Sequence, residues 1–328
     1  MDPETIDQLV NVGIRLRTHQ SANVGEPPEE RVEHQLRRLM ACVADVTIDI
    51  SEDLREVMRG YNGTQNTFGE SQIKLDVLAD HRLMKHLEQE TSFQVRQLAS
   101  EESDEIKTLS TGDGRYSVTF DPLDGSSVVD ANFSVGTIVG FYEGDLLDGK
   151  PGRESLAGAM YVLYGPATTL VYAVPGEGAH EFVLRNGRFI LEKEHLQMQE
   201  QGKIYGPGAN VNKWLPEHRE FIKDIQRQGH RLRYSGALVA DANHIFSKGG
   251  GIFAYPVLTD APRSKLRLLF ELQPLALIAE EMGGAATDGI TPILDLVPKK
   301  LEERSPIYIG SRREVELAKE YLTGQRVS

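Results

Sequence analysis

The chain has 328 residues, with 36 Lys and Arg against 49 Asp and Glu and a formal net charge of −13. This negative charge disfavours nucleic acids and anionic membranes as partners, because both are polyanions. The single cysteine excludes an intrachain disulfide framework and fits a reducing compartment. The acidic start, MDPETIDQL, lacks the basic and apolar pattern of a targeting signal, so a cytoplasmic location is expected.

Two helices are predicted near the start of the chain. Residues 31 to 58 form a long amphipathic stretch that ends at Gly60, and residues 77 to 90 form a second one. Cys42 lies in the apolar stripe of the first helix, where an inert core thiol is expected.

Strand-like runs dominate from Tyr116 to Ile190. Within them, the uncharged run Leu156 to Val174 is long enough for a membrane span. Gly165 and Pro166 interrupt this run, and its residues are rich in Tyr, Thr and β-branched types. It therefore predicts two buried strands joined by a turn.

The charged segment EKEHLQMQEQGK predicts a boundary between two domains, residues 1–200 and 201–328. Beyond it, apolar runs at Ile252 to Tyr255 and Leu266 to Phe270 alternate with a helix from Pro274 to Met282. This alternation predicts an α/β fold, in a chain long enough to bury a large core.

The segment FDPLDGSS, residues 120 to 127, carries the strongest chemical signal. Pro122 and Gly125 predict an irregular turn after a strand, from which Asp121 and Asp124 can point at one spot. Hard divalent cations prefer carboxylate and carbonyl oxygens, and the hydroxyl and N–H groups that follow can hold a phosphate. An ordinary Asx turn that caps a surface loop is the alternative for this segment alone.

Further acidic residues precede this turn: Glu70, Asp76, Glu101 and Glu102. Any one of them could belong to the solvated face of an acidic protein. Together they provide what two-metal phosphoryl transfer needs, namely several metal-binding carboxylates and one that takes a proton from the attacking water.

Eight blocks of the sequence stand in the order and at the intervals of one known family. They are KLDVLAD, SEES, FDPLDGSS, VGTIVG, KIYGPG, LRYSGALVAD, KLRLLFE and EEMGG. On these blocks, residues 30 to 320 resemble the fructose-1,6-bisphosphatase and sedoheptulose-1,7-bisphosphatase family of metal-dependent, lithium-sensitive sugar phosphatases. The resemblance implies a five-layered α-β-α-β-α fold. It also implies Mg²⁺ ions, two or three per active site, with Mn²⁺ as a substitute.

The resemblance implies a role for each matching residue. Metal ligands would be Glu70, Glu101, Asp121, Asp124 and Glu271, with the carbonyl oxygen of Leu123. Glu102 and Asp76 match the pair that activates the nucleophilic water, and a carboxylate beside another has a raised pKa that suits a general base. Glu70 departs from the pattern, since fructose bisphosphatases tend to carry Asp there.

Substrate contacts are implied in the same way. They are Gly125, Ser126, Ser127, Arg233, Tyr234, Gly236, Ala237, Leu238, Tyr255 and Lys265. The N-terminal domain would bind metal and the 1-phosphate, and the C-terminal domain the sugar and the distal phosphate. Arg233 matches an arginine that reaches across a subunit interface, which implies a homodimer or homotetramer. Arg267 is expected to pair with a buried carboxylate near the metal site.

Gly208 and Val211 predict whether the substrate is a six-carbon or a seven-carbon sugar. Fructose-specific members carry Asn and Tyr at these places, so their absence favours the seven-carbon substrate sedoheptulose 1,7-bisphosphate. Tyr255 and Pro256 resemble the fructose type, which leaves a fructose-1,6-bisphosphatase or a dual-specificity enzyme as the alternative. A sugar-phosphate sensor that binds without catalysis is a more remote alternative.

Regulation by AMP is not expected. Arg115 and Tyr116 resemble two members of the family's AMP site, but Glu143 stands where an arginine would be expected and would repel a nucleotide phosphate. The segment RGYNGT also lacks the cysteines of a light-type thiol switch.

Overall fold

The computed structural model describes residues 28–59, 68–89, 95–109 and 114–326, without the side chains of residues 28–34, 57–59 and 68–74. The helices are α1 (Pro28–Arg59), α2 (Phe68–Gln89), α3 (Gly152–Ser155), α4 (Pro216–Arg227), α5 (Leu238–Ser247), α6 (Gln273–Glu281) and α7 (Arg312–Leu322). The two predicted N-terminal helices are confirmed, although α2 begins nine residues earlier than the apolar pattern indicates, at Phe68 rather than residue 77.

Eight strands form the first sheet, in the order β2-β1-β3-β4-β5-β6-β7-β8. They are β1 (Gln97–Ser100), β2 (Lys107–Thr108), β3 (Tyr116–Asp124), β4 (Val135–Glu143), β5 (Leu156–Tyr164), β6 (Thr168–Val174), β7 (Gly178–Arg185) and β8 (Arg188–Lys193). The uncharged run of residues 156–174 is a hairpin, as predicted, because Gly165 and Pro166 lie in its turn. No helix in the described part of the chain is long and apolar enough to cross a membrane.

Five strands form the second sheet, in the order β10-β9-β11-β13-β12. They are β9 (Ile204–Pro207), β10 (Arg231–Leu232), β11 (Gly251–Tyr255), β12 (Ala285–Thr287) and β13 (Ile307–Gly310). The apolar run at Leu266 to Phe270 does not become a strand: residues Leu268–Leu272 form a π-helical turn that leads into α6. The division into domains at residues 200 and 201 stays a prediction.

The layers follow from side-chain alternation. In β4, Val139 and Phe141 pack with α1 and α2 on one face of the first sheet, whereas Ile138 and Tyr142 pack on the other face. That second face shares a core with α5, α6 and the second sheet, and α4 and α7 cover the far side of the second sheet. The predicted α-β-α-β-α order of layers is confirmed. Strands β3 and β4 are almost continuously buried because both of their faces are covered.

Acid should destabilise this fold through His218, which is fully buried in α4. Burial, aided by the charge of Arg219, lowers the pKa of His218 to about 3. Between this folded-state pKa and the higher pKa of the unfolded chain, only the unfolded chain binds a proton at His218. The free energy of unfolding therefore rises with pH in that range. Lowering the pH from about 7 to about 5 should therefore cost about 2 kcal/mol through this residue. Urea unfolding of wild type and His218→Gln at both pH values checks this, since an equal acid loss in the two proteins would contradict it.

Candidate active site

The turn after β3 is built by an irregular strand end. The register of β3 against β4 shifts between Asp121 and Asp124, and the hydroxyl of Thr137 donates to the carbonyl oxygen of Pro122 at 2.8 Å. Gly125 then takes a φ of 89°. A Cβ at Gly125 would lie 2.4 Å from the Cβ of Ala237, so only glycine lets this turn pack against the start of α5.

Backbone N–H groups hold both aspartates of the turn. The N–H of Leu123 donates to Oδ1 of Asp121 at 3.0 Å, and the N–H of Val239, in the first turn of α5, donates to Oδ2 of Asp124 at 2.6 Å. The N-terminus of a helix favours a nearby anion. The carboxylates are therefore fixed in direction while their remaining oxygens stay available.

Glu271 joins these two aspartates from a different part of the fold. It lies in the π-helical turn, where its Oε2 accepts a hydrogen bond from the N–H of Arg267. Ligand oxygens of Asp121, Asp124 and Glu271 all lie within 4.8 Å of one another. The three carboxylates are almost completely buried.

Burial and mutual repulsion raise the pKa values of this cluster. Burial, followed by the charges of Glu101 and other carboxylates, holds the pKa of Asp121 and of Glu271 well above the usual range. Burial also raises the pKa of Asp124 to about 7, although the N–H of Val239 favours its anion. A cluster this strained by like charge fits a cation that would neutralise it.

Glu101 is positioned by Arg267. The guanidinium Nε lies 3.1 Å from Oε1 of Glu101 in an ion pair, and Nη1 donates to the Glu101 backbone carbonyl at 2.7 Å. Arg267 thus pairs with a carboxylate, as predicted, although Glu101 is half-buried and not buried. Glu102, next in the chain, is exposed as a whole residue, but its carboxyl group is partly shielded from water. This shielding, followed by the charges of Glu101 and Asp80, raises the pKa of Glu102.

Asp76 projects from α2 toward the same carboxylates. Burial, with the charge of Glu102 as the next cause, raises the pKa of Asp76 to about 7, and the hydroxyl of Ser126 offsets part of this rise. Oδ1 of Asp76 is buried and has no hydrogen-bond partner among the described residues. The same holds for Oδ1 of Asp80, one helical turn further on, a residue that sequence reasoning missed.

These residues fit a hard divalent cation. Three buried carboxylates converge within 4.8 Å, and the guanidinium nearest to them is already engaged with Glu101. Oxygen-only donor sets of this kind suit Mg²⁺, Mn²⁺ or Ca²⁺ rather than a soft metal. Glu70 lies in the first turn of α2, where side chains fall outside the described residues.

A cavity of ≈260 Å³ opens on this cluster and contains most of the predicted site. Its lining includes Glu101, Glu102, Asp121, Leu123, Asp124, Gly125, Ser126, Ser127, Tyr234, Gly236, Leu238, Tyr255, Lys265 and Glu271. Ala237 is fully buried beneath Gly125 instead of lining the cavity. Arg233 is exposed outside the cavity, where its Nη1 donates to the carbonyl oxygen of Leu232.

The two residues used to predict sugar length do not line the cavity. A Cβ at Gly208 would lie 2.5 Å from Cδ2 of Tyr255, so the ring of Tyr255 fills the space that a side chain would need. Val211 is 52% exposed. The absence of Asn and Tyr at these positions therefore does not widen the described cavity.

Asp241, Phe253 and Leu266 also line the cavity and were missed by sequence reasoning. The carboxylate of Asp241 is buried and accepts the N–H of Ser235 at 2.7 Å and of Gly236 at 3.3 Å. It thereby fixes the turn before α5. The available signal was an aspartate in the first helical turn after a Ser-Gly pair, since such a carboxylate often binds preceding N–H groups.

Glu143 forms an ion pair with Arg115, the other residue used in the prediction about AMP. Nη2 of Arg115 lies 2.8 Å from Oε1 of Glu143. The guanidinium of Arg115 is thus paired with a carboxylate on a neighbouring strand, and the expected absence of AMP regulation stays a prediction.

Two family models together match most of the chain. The family model described as fructose-1-6-bisphosphatase, N-terminal domain matches residues 18–194, and the C-terminal domain model matches residues 198–323. The fructose-1,6-bisphosphatase class 1 of Trichlorobacter lovleyi is 47% identical over 298 residues, which cover 90% of this chain and 93% of that one.

Two solved structures resemble the fold closely. The holo form of Leishmania major fructose-1,6-bisphosphatase superposes with a TM-score of 0.79 at 33% identity, covering 90% of this chain and 96% of that one. A Toxoplasma gondii chain provisionally named sedoheptulose-1,7 bisphosphatase gives a TM-score of 0.78 at 29% identity, covering 89% and 94%.

Proposed function

The chain belongs to the fructose-1,6-bisphosphatase family, and on that premise we propose that it hydrolyses the 1-phosphate of fructose 1,6-bisphosphate with the help of Mg²⁺. The observation that carries the proposal is the cavity itself. It combines six carboxylates, the hydroxyl turn Ser126–Val128 and the ammonium group of Lys265. A bisphosphate could not approach six carboxylates without cations between them.

Different residues of the cavity would bind the metal and the phosphate. Bound Mg²⁺ would supply positive charge to the phosphate oxygens and make water more acidic. Asp121, Asp124 and Glu271 would hold it, with Glu101 kept in place by Arg267. The hydroxyl of Ser127 and the N–H groups of Ser126 and Ser127 are suited to donate hydrogen bonds to the 1-phosphate, because small residues after a turn glycine leave their N–H groups open.

Glu102 and Asp76 would accept the proton of the attacking water. A pKa of about 7 for Asp76 puts this residue close to the value that favours general base catalysis near neutral pH. In-line attack on phosphorus would then release the sugar alkoxide, which takes up a proton as the P–O bond breaks. The reaction needs no covalent phosphoenzyme.

Sedoheptulose 1,7-bisphosphate is the second candidate substrate. The Toxoplasma gondii neighbour carries that name, and neither Gly208 nor Val211 offers a polar side chain to a six-carbon sugar. We favour fructose 1,6-bisphosphate because the ring of Tyr255 occupies the space at Gly208 and because the 47%-identical bacterial relative is named for it.

A side-by-side assay with Mg²⁺ tests the substrate. Phosphate release should give a higher kcat/KM for fructose 1,6-bisphosphate than for sedoheptulose 1,7-bisphosphate. A tenfold preference for the seven-carbon sugar, about 1.4 kcal/mol in transition-state binding, would overturn the choice of substrate but not the chemistry. Absence of turnover with either sugar would favour a non-catalytic sugar-phosphate sensor.

Arg233 is proposed to complete the distal phosphate pocket of a neighbouring subunit. Its side chain is exposed outside its own cavity, and its planar guanidinium can bind two phosphate oxygens at once. In Arg233→Ala we expect KM for the bisphosphate to rise by about tenfold or more with kcat little changed. Light scattering is the companion measurement, and a fully active monomer would contradict the shared pocket. Arg231→Ala, in the exposed strand β10 just before Arg233, is the matched control.

A further inference from the structure

One loop separates the candidate active cavity from a second, larger one. Lys265 and Leu266 line the active cavity, whereas Arg263 and Ser264 line a cavity of ≈440 Å³, here called the rear cavity. Arg267 follows in the same loop and also lines the rear cavity, while its guanidinium pairs with Glu101. The loop therefore connects two spaces of different chemistry.

The rear cavity brings four cationic side chains together in a chain whose net charge is −13. Its cationic groups are Arg263, Arg267, Lys300 and Arg304, and its carboxylates are Asp104, Glu302 and Glu303. Lys300 and Glu302 lie 3.7 Å apart and largely neutralise each other. Within the described ranges, neither Arg263 nor Arg304 has an ion pair.

Ser264, on the same lining, adds a buried hydroxyl whose hydrogen bond is not satisfied by any described residue. The residue is only 5% exposed, and its Oγ has no hydrogen-bond partner in the described part of the chain. Its φ is 63°, a left-handed conformation that a serine adopts at an energetic cost. A buried hydroxyl without a partner is costly unless something completes its hydrogen bonds.

We propose that the rear cavity binds a small anion with one phosphate group, held by the guanidinium groups of Arg263 and Arg304 and by the hydroxyl of Ser264. Arginine is the side chain best matched to phosphate oxygens, because its fork donates two parallel hydrogen bonds. Asp104 and Glu303 remain on the lining as carboxylates. Their charge disfavours a more highly charged ligand such as a bisphosphate, which separates this site from the active cavity.

Backbone hydrogen bonds connect the lining of the rear cavity to the loop that carries Lys265. The N–H of Leu268 donates to the carbonyl oxygen of Glu303 at 2.7 Å, and the N–H of Ser305 donates to that of Leu266 at 3.1 Å. The segment that carries Arg304 is thus joined to the segment that presents Lys265. A bound anion would act on substrate binding from a position one residue away from Lys265.

Titration calorimetry of the full chain tests the site with two probes, inorganic phosphate and glycerol 3-phosphate. Each titration is run with Mg²⁺ and again after Mg²⁺ is removed with a chelator, because without cations the active cavity repels phosphate. We expect binding that persists without Mg²⁺. Its Kd should rise at least about tenfold in the double variant Arg263→Ala, Arg304→Ala. Tighter binding of one probe tells whether free phosphate or a phosphate ester is preferred.

Arg313→Ala is the matched control, since Arg313 is also an exposed arginine of the C-terminal region but lies outside the rear cavity. It should bind both probes like the wild type. Circular dichroism verifies that each protein is folded without Mg²⁺. If the chelated protein unfolds, the Mg²⁺-loaded titration decides, because the double variant should lose one of two phosphate sites. Equal binding by the double variant and the wild type would overturn the proposal.

Discussion

In Asp121→Asn, kcat should fall by about 10³-fold or more, since losing one ligand of a cation-binding cluster removes several kcal/mol of transition-state stabilisation. Asp121 is 3% exposed, and its carboxylate lies within 4.8 Å of Asp124 and Glu271. An amide at this place keeps the hydrogen bond from Leu123 to an oxygen but no longer carries a charge. We therefore expect the loss to appear in metal binding as well as in turnover.

The same variant should be more stable than the wild type when Mg²⁺ is absent. The pKa values of Asp121, Asp124 and Glu271 are all raised, so the folded chain binds more protons than the unfolded chain above the usual carboxyl pKa. Stability of the metal-free protein then falls as the pH rises through the folded values. Removing one charge should restore about 2 kcal/mol at mildly alkaline pH.

Urea unfolding with and without Mg²⁺ measures both halves of this prediction. Wild type should gain stability from Mg²⁺, whereas Asp121→Asn should be more stable than wild type without the ion and gain little from it. Asp130→Asn is the control, because Asp130 is exposed in the segment just after the same turn. An Asp121→Asn protein that is less stable than wild type under both conditions would contradict the view that these carboxylates repel one another.

The carboxylates of the turn were predicted from the sequence, whereas the residues that surround and position them were not. Asp121 and Asp124 are three residues apart and share a turn whose residue types are specific, so their convergence was predictable. Glu271 was placed beside them only by family resemblance, because a contact across 147 residues has no local signature. Asp80 was missed for a related reason, because the burial of its Oδ1 arises only in the folded chain. Asp241 differs, since its hydrogen bonds to Ser235 and Gly236 are local and the Ser-Gly pair before the helix was an available signal.

Errors at Gly208 and at residues 266–270 have different physical causes. The missing side chain at Gly208 predicted empty space beside the sugar, but the ring of Tyr255 packs into that space. The apolar run at 266–270 has the composition of a buried strand, and a short apolar run cannot be told from a buried helical turn by periodicity. The individual helices and strands were predictable because the two periodicities, two for strands and about 3.6 for helices, persist over long segments. The order of the five layers was implied only by the family resemblance.

Glu102→Gln should lower kcat by about 10²- to 10⁴-fold, the range expected for losing a general base, while leaving Mg²⁺ affinity nearly unchanged. Glu102 is exposed to the cavity, and none of its oxygens belongs to the buried three-carboxylate cluster. Asp76→Asn should have an effect of similar size for the same reason. If either variant instead lost Mg²⁺ affinity to the extent of Asp121→Asn, that residue would be a ligand and not a proton acceptor.

The double variant decides whether the two carboxylates act as one unit. The charge of Glu102 is the largest cause after burial of the raised pKa of Asp76, so the two groups interact directly. Groups that share one proton-transfer step are not additive, and the double variant should be no slower than the slower single variant within about threefold. Losses that multiply would mean that Glu102 and Asp76 contribute to separate steps. Glu105→Gln, an exposed carboxylate three residues from Glu102 that lies outside both cavities, should leave kcat unchanged and so controls for loss of surface charge.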